Sequence, residues 1–285
     1  MEAGITKTLK VVREAPFGFF LTDGEEDVLL HHTEVSIPIQ LEQDLEVFLY
    51  QDHEGRLSAS LTIPKIQVGK YDWAQVVGVT KKLGIFIDIG LQKDILISLD
   101  DLPEDIHLWP TVGDRLYCTL TRNNKNRLFG KIAPVEEIEL ISVAANESLF
   151  NKSIKGTVYR ILQIGSSIIT EEGYLGFIHE SERNEELRLG QQVEGRVTNV
   201  KEDGSINVSL LPRTHERQHD DASLIYDYLL GRGGSMPYSD KSLPEDIKRR
   251  FNMSKGAFKR ALGKLIKEDK ITQEDGWTHA KDQNS

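Results

Sequence analysis

Cysteine is nearly absent: Cys118 is the only one in 285 residues, so no disulfide can form within the chain and a multi-cysteine zinc site is excluded. Long apolar runs are missing too. Val28–Leu30 and Val143–Ala145 fall far short of the roughly 20 apolar residues that span a bilayer, and no membrane partner is expected. Met1–Lys10 has no apolar stretch behind a basic start, so we expect no secretion signal and a cytoplasmic protein. Positive charge is scarce: 35 Lys and Arg face 45 Asp and Glu, for a formal net charge of −10. Phosphate contacts need Lys and Arg. Bulk attraction therefore cannot drive nucleic-acid binding, which would have to use local patches and base stacking.

The charge that is present is unevenly spread. Residues 1–63 carry 4 basic and 12 acidic side chains, 74–133 carry 8 and 7, 134–213 carry 8 and 13, and 241–270 carry 10 and 4. The length leaves room for two to four small domains.

One pattern occurs three times: a strand, a Gly turn with large apolar neighbours, two more strands around a polar turn, then a closing pair of strands joined by a tight turn. The first copy reads Pro16-Phe17-Gly18-Phe19-Phe20-Leu21, then Val28-Leu29-Leu30-His31-His32, and closes with Leu45–Gln51 and Leu57–Leu61 around Asp52-His53-Glu54-Gly55-Arg56. The second has Leu83-Gly84-Ile85-Phe86-Ile87, Ile95–Leu99, and Leu116–Thr121 with Arg127–Ile132 around Asn123-Asn124. The third has Ile164-Gly165-Ser166-Ser167-Ile168, Gly176–His179, and Val193–Val200 with Ile206–Leu211 around Asp203-Gly204. Five short strands in roughly 65 residues suit a small closed oligonucleotide-binding barrel. We expect barrels at 1–63, 66–134 and 146–212, mainly β in class, and a fourth domain at 219–280.

The order Phe-Gly-x-Phe, Leu-x-His and Asp-x-x-Gly-Arg resembles the S1 domain of ribosomal protein S1. In that family two aromatics, a His, an Asp and an Arg gather on one barrel face and bind single-stranded RNA, and the first copy fills these positions with Phe17, Phe20, His31, Asp52 and Arg56. Aromatic faces stack on unpaired bases at about 1–3 kcal/mol each. Arg56 suits a phosphate or a base plane, and His31 a phosphate or 2′-hydroxyl. Asp52 suits orienting Arg56, and the two could equally be a hairpin ion pair only.

Strand alternation sets limits on this reading. Phe19 is expected in the core. Phe17 and Phe20 cannot share a face unless a bulge at Gly18 re-aims one of them, and His31 and His32 point to opposite sides, against joint metal ligation.

The second copy keeps Phe86 and Arg127 but has Leu83, Ser98 and Asn123 at the other positions, with Lys81, Lys82, Arg122 and Lys125 nearby. The third keeps His179, replaces both aromatics with Ile164 and Ser167 and the Arg with Ser205, and offers Tyr174 as a substitute. The expected order of binding strength is first, second, third. Two stacks supply about 2–6 kcal/mol where a micromolar complex needs about 8, so the barrels are expected to act together through the short 62–73 connection.

Beyond Pro212 the composition changes. Arg213–Asp221 reads as a polar linker and Ala222–Leu230 as a helix with Leu224, Ile225, Tyr228 and Leu229 apolar. A helix from Pro244 to Phe251 follows, then a turn at Asn252-Met253-Ser254 and a longer helix whose stripe is Ala257, Phe258, Ala261, Leu262, Leu265 and Ile266. With a hairpin at Ile271–Thr278, this order resembles the winged-helix fold. Lys255, Lys259, Arg260, Lys264 and Lys267 lie opposite the stripe, on the face that enters a DNA groove in helix-turn-helix readers and that is charged on any surface helix.

Nothing in the sequence suggests an enzyme. The i, i+4 pair His215 and His219 has no third ligand, and no metal or other cofactor is expected. Asp100-Asp101, Glu104-Asp105 and His107 read as a solvated acidic loop rather than a nuclease centre. Three S1-type domains and a winged helix resemble the conserved virulence factor B family, which implies an RNA-binding protein acting after transcription. Two other readings stay open at this level: a regulator that binds duplex DNA through the winged helix, and an adaptor that docks on the ribosome or an RNA-processing protein.

Overall fold

The computed structural model describes residues 1–212 and 214–281, without the side chains of 214–220, where His215 and His219 fall. It divides into two compact units, Met1–Leu210 and Leu211–Ser285.

The first unit holds three closed five-stranded barrels. Barrel 1 is β1 (Thr6–Ala15), β2 (Gly18–Thr22), β3 (Asp27–His31), β4 (Asp44–Gln51) and β5 (Leu57–Ser60), in the order β1-β2-β3-β5-β4. Barrel 2 is β6 (Asp72–Thr80), β7 (Gly84–Asp88), β8 (Ile95–Ser98), β9 (Arg115–Arg122) and β10 (Leu128–Ile132), in the corresponding closed order. A short helix, α1 (Val135–Leu140), leads into barrel 3: β11 (Ser153–Leu162), β12 (Gly165–Thr170), β13 (Leu175–His179), β14 (Gln192–Val200) and β15 (Ile206–Ser209).

Alternating residues fill each barrel, as Leu9, Val11, Phe19, Leu21, Val28 and Leu30 do in the first. The repeated glycine has a steric cause. A Cβ at Gly18, Gly84 or Gly165 would stand 2.2, 2.1 or 2.3 Å from the carbonyl oxygen of Leu30, Ile97 or Ile178 on the next strand. The opening strand of every barrel carries an irregularity at one place, between Val11 and Arg13, Val76 and Gly78, and Val158 and Arg160. The residue just after it faces outward beside β2, β7 or β12.

The barrels are not beads on flexible linkers. Phe48 and Tyr50 of β4 belong to the same buried cluster as Val76, Ile87 and Leu116 of barrel 2, and Ile66 from the connection is buried with them. On the other side, Arg188 grips Asp114 through Nε (2.7 Å) and Nη2 (3.1 Å), and Leu189 joins the barrel 2 cluster. A bidentate Arg–carboxylate pair fixes orientation as well as distance. Packing, rather than a flexible tether, thus holds these barrels to one another.

The second unit is α2 (Thr214–Gly231), β16 (Ser235–Met236), α3 (Pro244–Phe251), α4 (Lys255–Lys267), β17 (Ile271–Glu274) and β18 (Trp277–Ala280), with sheet order β16-β18-β17. The span expected as a linker is helical from Thr214 onward, because a polar stretch can extend a helix whose packing comes from Ala222, Ile225 and Leu229. Leu224, expected on the apolar side of that helix, is exposed instead. Asn252 takes the left-handed turn (φ 52°) that separates α3 from α4, and the Ser254 hydroxyl accepts the Ala257 N–H to cap α4. Phe258, Ala261, Leu262 and Leu265 are buried as expected, but Ile266 is 46% exposed. It lies one residue past Leu265, outside the arc the core covers.

Candidate nucleic-acid interface

In barrel 1 strand register lines up an outward row: Arg13 pairs with Phe20, Phe20 with Leu29, Leu29 with Ser58, and Ser58 with Tyr50. Phe17 belongs to the turn before β2, so strand alternation does not bind it, and its ring meets that of Phe20 edge-on at 6.1 Å. The two aromatics do meet, without a bulge at Gly18; the irregularity lies opposite, in β1. Phe19 is buried, as alternation requires, with its ring edge-on to His32 at 5.5 Å.

His31 caps the turn after β3. Its Nδ1 accepts the Thr33 N–H at 3.2 Å, which leaves the proton of the neutral ring on Nε2, facing outward as a donor. His179 does the same with Ser181, at 3.2 Å, and Ser98 does it with its hydroxyl toward the Asp100 N–H, at 3.3 Å. The three positions are equivalent caps, and two of them add an imidazole donor. Asp100 and Asp105 are engaged in turn hydrogen bonds of this kind, in line with a structural acidic loop.

Asp52 belongs to the β4–β5 turn. Its carboxylate accepts from the Glu54 and Arg56 N–H groups and from Arg56 Nε, each at 2.9 Å. Burial alone would raise this carboxyl, but the Arg56 backbone N–H, the guanidinium and the Glu54 N–H outweigh it and hold its pKa below the ordinary value. Arg56 is held at 2.8 Å by Asp52 and at 2.8 Å by Glu54. Asn123 fills the Asp52 role in barrel 2, accepting from the Lys125 and Arg127 N–H groups at 2.9 and 3.0 Å, and Asp203 does so in barrel 3. A neutral amide adds no charge, and the Arg127 guanidinium has no hydrogen-bond or carboxylate partner among the described residues.

In barrel 2, Gly78 pairs with Phe86 and Phe86 with Leu96. Phe129 stands next to Gly130, which pairs with Ile97, and alternation turns it out beside Leu96. In barrel 3 the row is Arg160, Ser167, Phe177, Asn207 and Asn199. Its aromatic has moved one strand over: Phe177 is half-buried, 6.5 Å from the His179 ring. Tyr174, the expected substitute, instead packs against the barrel 3 core. At the first aromatic position every barrel exposes an apolar side chain, Phe17 at 48%, Leu83 at 50% and Ile164 at 59%. Phe129 and Phe177 went unrecognised in the sequence, although the in–out alternation of Gly176-Phe177-Ile178-His179 marks the latter.

On α4, Lys259, Arg260 and Lys267 are exposed and Lys255 half-buried, none with a carboxylate partner among the described residues. Lys264 is half-buried and lies 3.8 Å from Glu268. Trp277 is exposed at the start of β18, stacked on His279.

Four domain profiles cover almost all of this: an S1 domain at 3–62, the CvfB first S1-like domain at 71–131, the second domain of virulence regulatory factor CvfB at 138–212, and a CvfB-like winged helix domain at 223–279. Conserved virulence factor B of Staphylococcus epidermidis is 41% identical over 255 residues, 88% of this chain and 85% of that one. The chain belongs to the conserved virulence factor B family. An uncharacterised Bacillus subtilis protein, YitL, is 49% identical over 99% of this chain and 94% of its own length. A Streptococcus pneumoniae crystal structure, described as a multidomain protein with nucleic acid binding domains, is 35% identical and covers 98% of both chains with a TM-score of 0.69. The family resemblance expected from domain order thus holds along the chain, and the three barrels and winged helix match that expectation.

No helix among the described residues is long and apolar enough to cross a membrane.

Proposed function

We propose that this family member is a non-enzymatic regulator that binds single-stranded RNA through its barrels and acts after transcription. One observation carries the reading. The same outer face recurs three times, with an exposed apolar side chain at the turn and an aromatic on the adjoining strands. Such a face stacks unpaired bases and cannot reach bases paired inside a duplex. The S1 profile and the nucleic-acid-binding description of the pneumococcal relative support it. The acidic balance of the chain makes stacking, rather than bulk charge, the main source of affinity on this reading.

Fluorescence anisotropy of the whole chain with labelled single-stranded RNA and duplex DNA, across a salt series, tests this. Preference for the single strand is expected. Duplex preference abolished by replacing Lys259, Arg260 and Lys267 with Ala would instead favour the winged helix, whose unpaired cations are the observation behind that second reading.

A further inference from the structure

Lys93 lies in the connection between β7 and β8 and reaches across the seam to barrel 1. Its ammonium donates to the carbonyls of Gln51, at 3.3 Å, and Asp52, at 3.1 Å. Beside it opens a cavity of about 250 Å³, walled by Tyr50 and Gln51 from barrel 1 and by Phe86, Leu96, Arg127 and Phe129 from barrel 2. One carboxylate, Asp94, is also in the lining. The space lies just under the roughly 300–1,000 Å³ of pockets for drug-sized ligands, which suits one base with its phosphate.

We propose that this seam is a nucleotide pocket built jointly by two barrels, in which Phe86 and Phe129 stack a base while Lys93 and Arg127 hold its phosphate. The proposal rests on the single-stranded RNA reading above and adds a defined nucleotide site to it. Three features of the seam fit a nucleotide. On its β6 side Phe86 has only Gly78 beside it, so its ring is not covered from that strand. The Arg127 guanidinium is unpaired among the described residues, and its donor fork matches phosphate oxygens. Lys93 already spends its hydrogen bonds on backbone carbonyls, yet three ammonium protons serve two such partners, which leaves one for a ligand.

The electrostatics point the same way. Burial first, and then repulsion from Arg127, push Lys93 below the ordinary lysine value, while Asp52 acts in the opposite direction. Two cations held near each other at a cost are relieved by an anion between them. A neutral or cationic ligand would gain nothing from that arrangement.

The test uses the whole chain and a short, labelled, mixed-sequence single-stranded RNA. Arg127→Gln and Phe86→Leu are each expected to weaken binding about tenfold, the value of one charge-assisted contact or one stack. Lys93→Gln with Arg127→Gln should flatten the slope of log affinity against log salt by about 0.7 or more, one phosphate's share on a single strand. Because Lys93 also braces the barrel 1 turn, Lys93→Arg is the check: it keeps the charge and should keep the slope. Lys65→Gln, an exposed loss of the same charge elsewhere, should leave both nearly unchanged. Affinity within twofold of the parent in both Arg127→Gln and Phe86→Leu, with an unchanged slope in the Lys93→Gln, Arg127→Gln double variant, would overturn the pocket and leave the RNA reading standing. A parent chain that binds no single-stranded RNA at any salt concentration overturns both.

Discussion

In barrel 1 the Phe20 ring lies 3.5 Å under the Arg13 guanidinium, and Arg56 is held between Asp52 and Glu54. In barrel 2, Gly78 stands where Arg13 does and Asn123 where Asp52 does, so Phe86 and Arg127 keep their surfaces for something else. The first barrel fills every position of the S1 pattern, but its own neighbours occupy Phe20 and Arg56. The second fills fewer and leaves them open. A ligand must displace an internal partner before it gains anything from an occupied group, so its net gain is the difference between two similar contacts. Completeness of a motif and availability of its groups are therefore separate quantities, and on this reading the order of binding strength expected from sequence, first barrel before second, is reversed.

The largest effect is expected where the barrels are alike. Gly18→Ala and Gly84→Ala each place a methyl group within 2.2 Å of a backbone carbonyl, and each should cost about 3 kcal/mol or more, as strands forced apart do. Urea unfolding measures both. A large difference between the two would mean that the frames differ as well as the faces, and the comparison of faces would lose its basis.

Exchanging the turn residues comes next. Asn123→Asp gives barrel 2 the carboxylate that holds Arg56 in barrel 1, and should weaken single-stranded RNA binding about fivefold, a little under the full worth of a charge-assisted contact. Asp52→Asn leaves Arg56 held by Glu54 alone and should tighten binding by a smaller factor. Titration of both variants at one salt concentration decides this. If Asn123→Asp binds like the parent, Arg127 is not the exposed cation its surroundings make it.

A smaller effect is expected from covering the ring. Gly78→Arg puts a guanidinium where Arg13 stands over Phe20. A Cβ at Gly78 would lie 3.5 Å from the Phe86 side chain, an ordinary contact that the barrel tolerates. The loss in affinity should be about threefold, the scale of an exposed cation–π contact. Arg13→Gly should give the opposite sign in barrel 1. Equal affinities throughout would mean that bases slide under either guanidinium without displacing it.

Much of the fold could be read from the sequence because repetition and period are properties of the chain itself. Gly18, Gly84 and Gly165 recur at a close approach that only glycine allows, and Phe19 and Leu21 alternate inward as the pleat requires. The site was legible only in part. Phe17, Phe20, His31, Asp52 and Arg56 come from matching residues to positions, and matching cannot show that Arg13, a turn away in sequence, ends over Phe20. Nor can it find Lys93. That residue lies in an irregular connection with no period, and its place in the seam is set by how two barrels share Phe48, Tyr50 and Ile66. The helical stretch after Thr214 was missed for a related reason: its polar composition fits a linker, and tertiary packing of Ile225 and Leu229 overrides it.

The smallest effect separates the two turns by pH. Asp52 and Asn123 do the same mechanical work, holding the Arg56 and Arg127 amides at 2.9 and 3.0 Å through a side-chain oxygen. Only Asp52 can gain a proton. Its pKa in the folded chain lies below the ordinary 3.8, so its contribution is complete above that value and is lost as pH falls from there through the folded value. Asp52 is half-buried but its partner Arg56 is exposed, so solvent screens the pair and the loss should be local rather than global. Amide hydrogen exchange followed from pH 5 to pH 2 should show protection at Arg56 dropping severalfold more than intrinsic exchange accounts for, with Arg127 unaffected. Parallel losses at both amides would mean that the turns open together through a wider acid transition. In that event the Asp52 carboxylate would not be what holds Arg56, and the contrast between an occupied and an open arginine would have to rest on Glu54 alone.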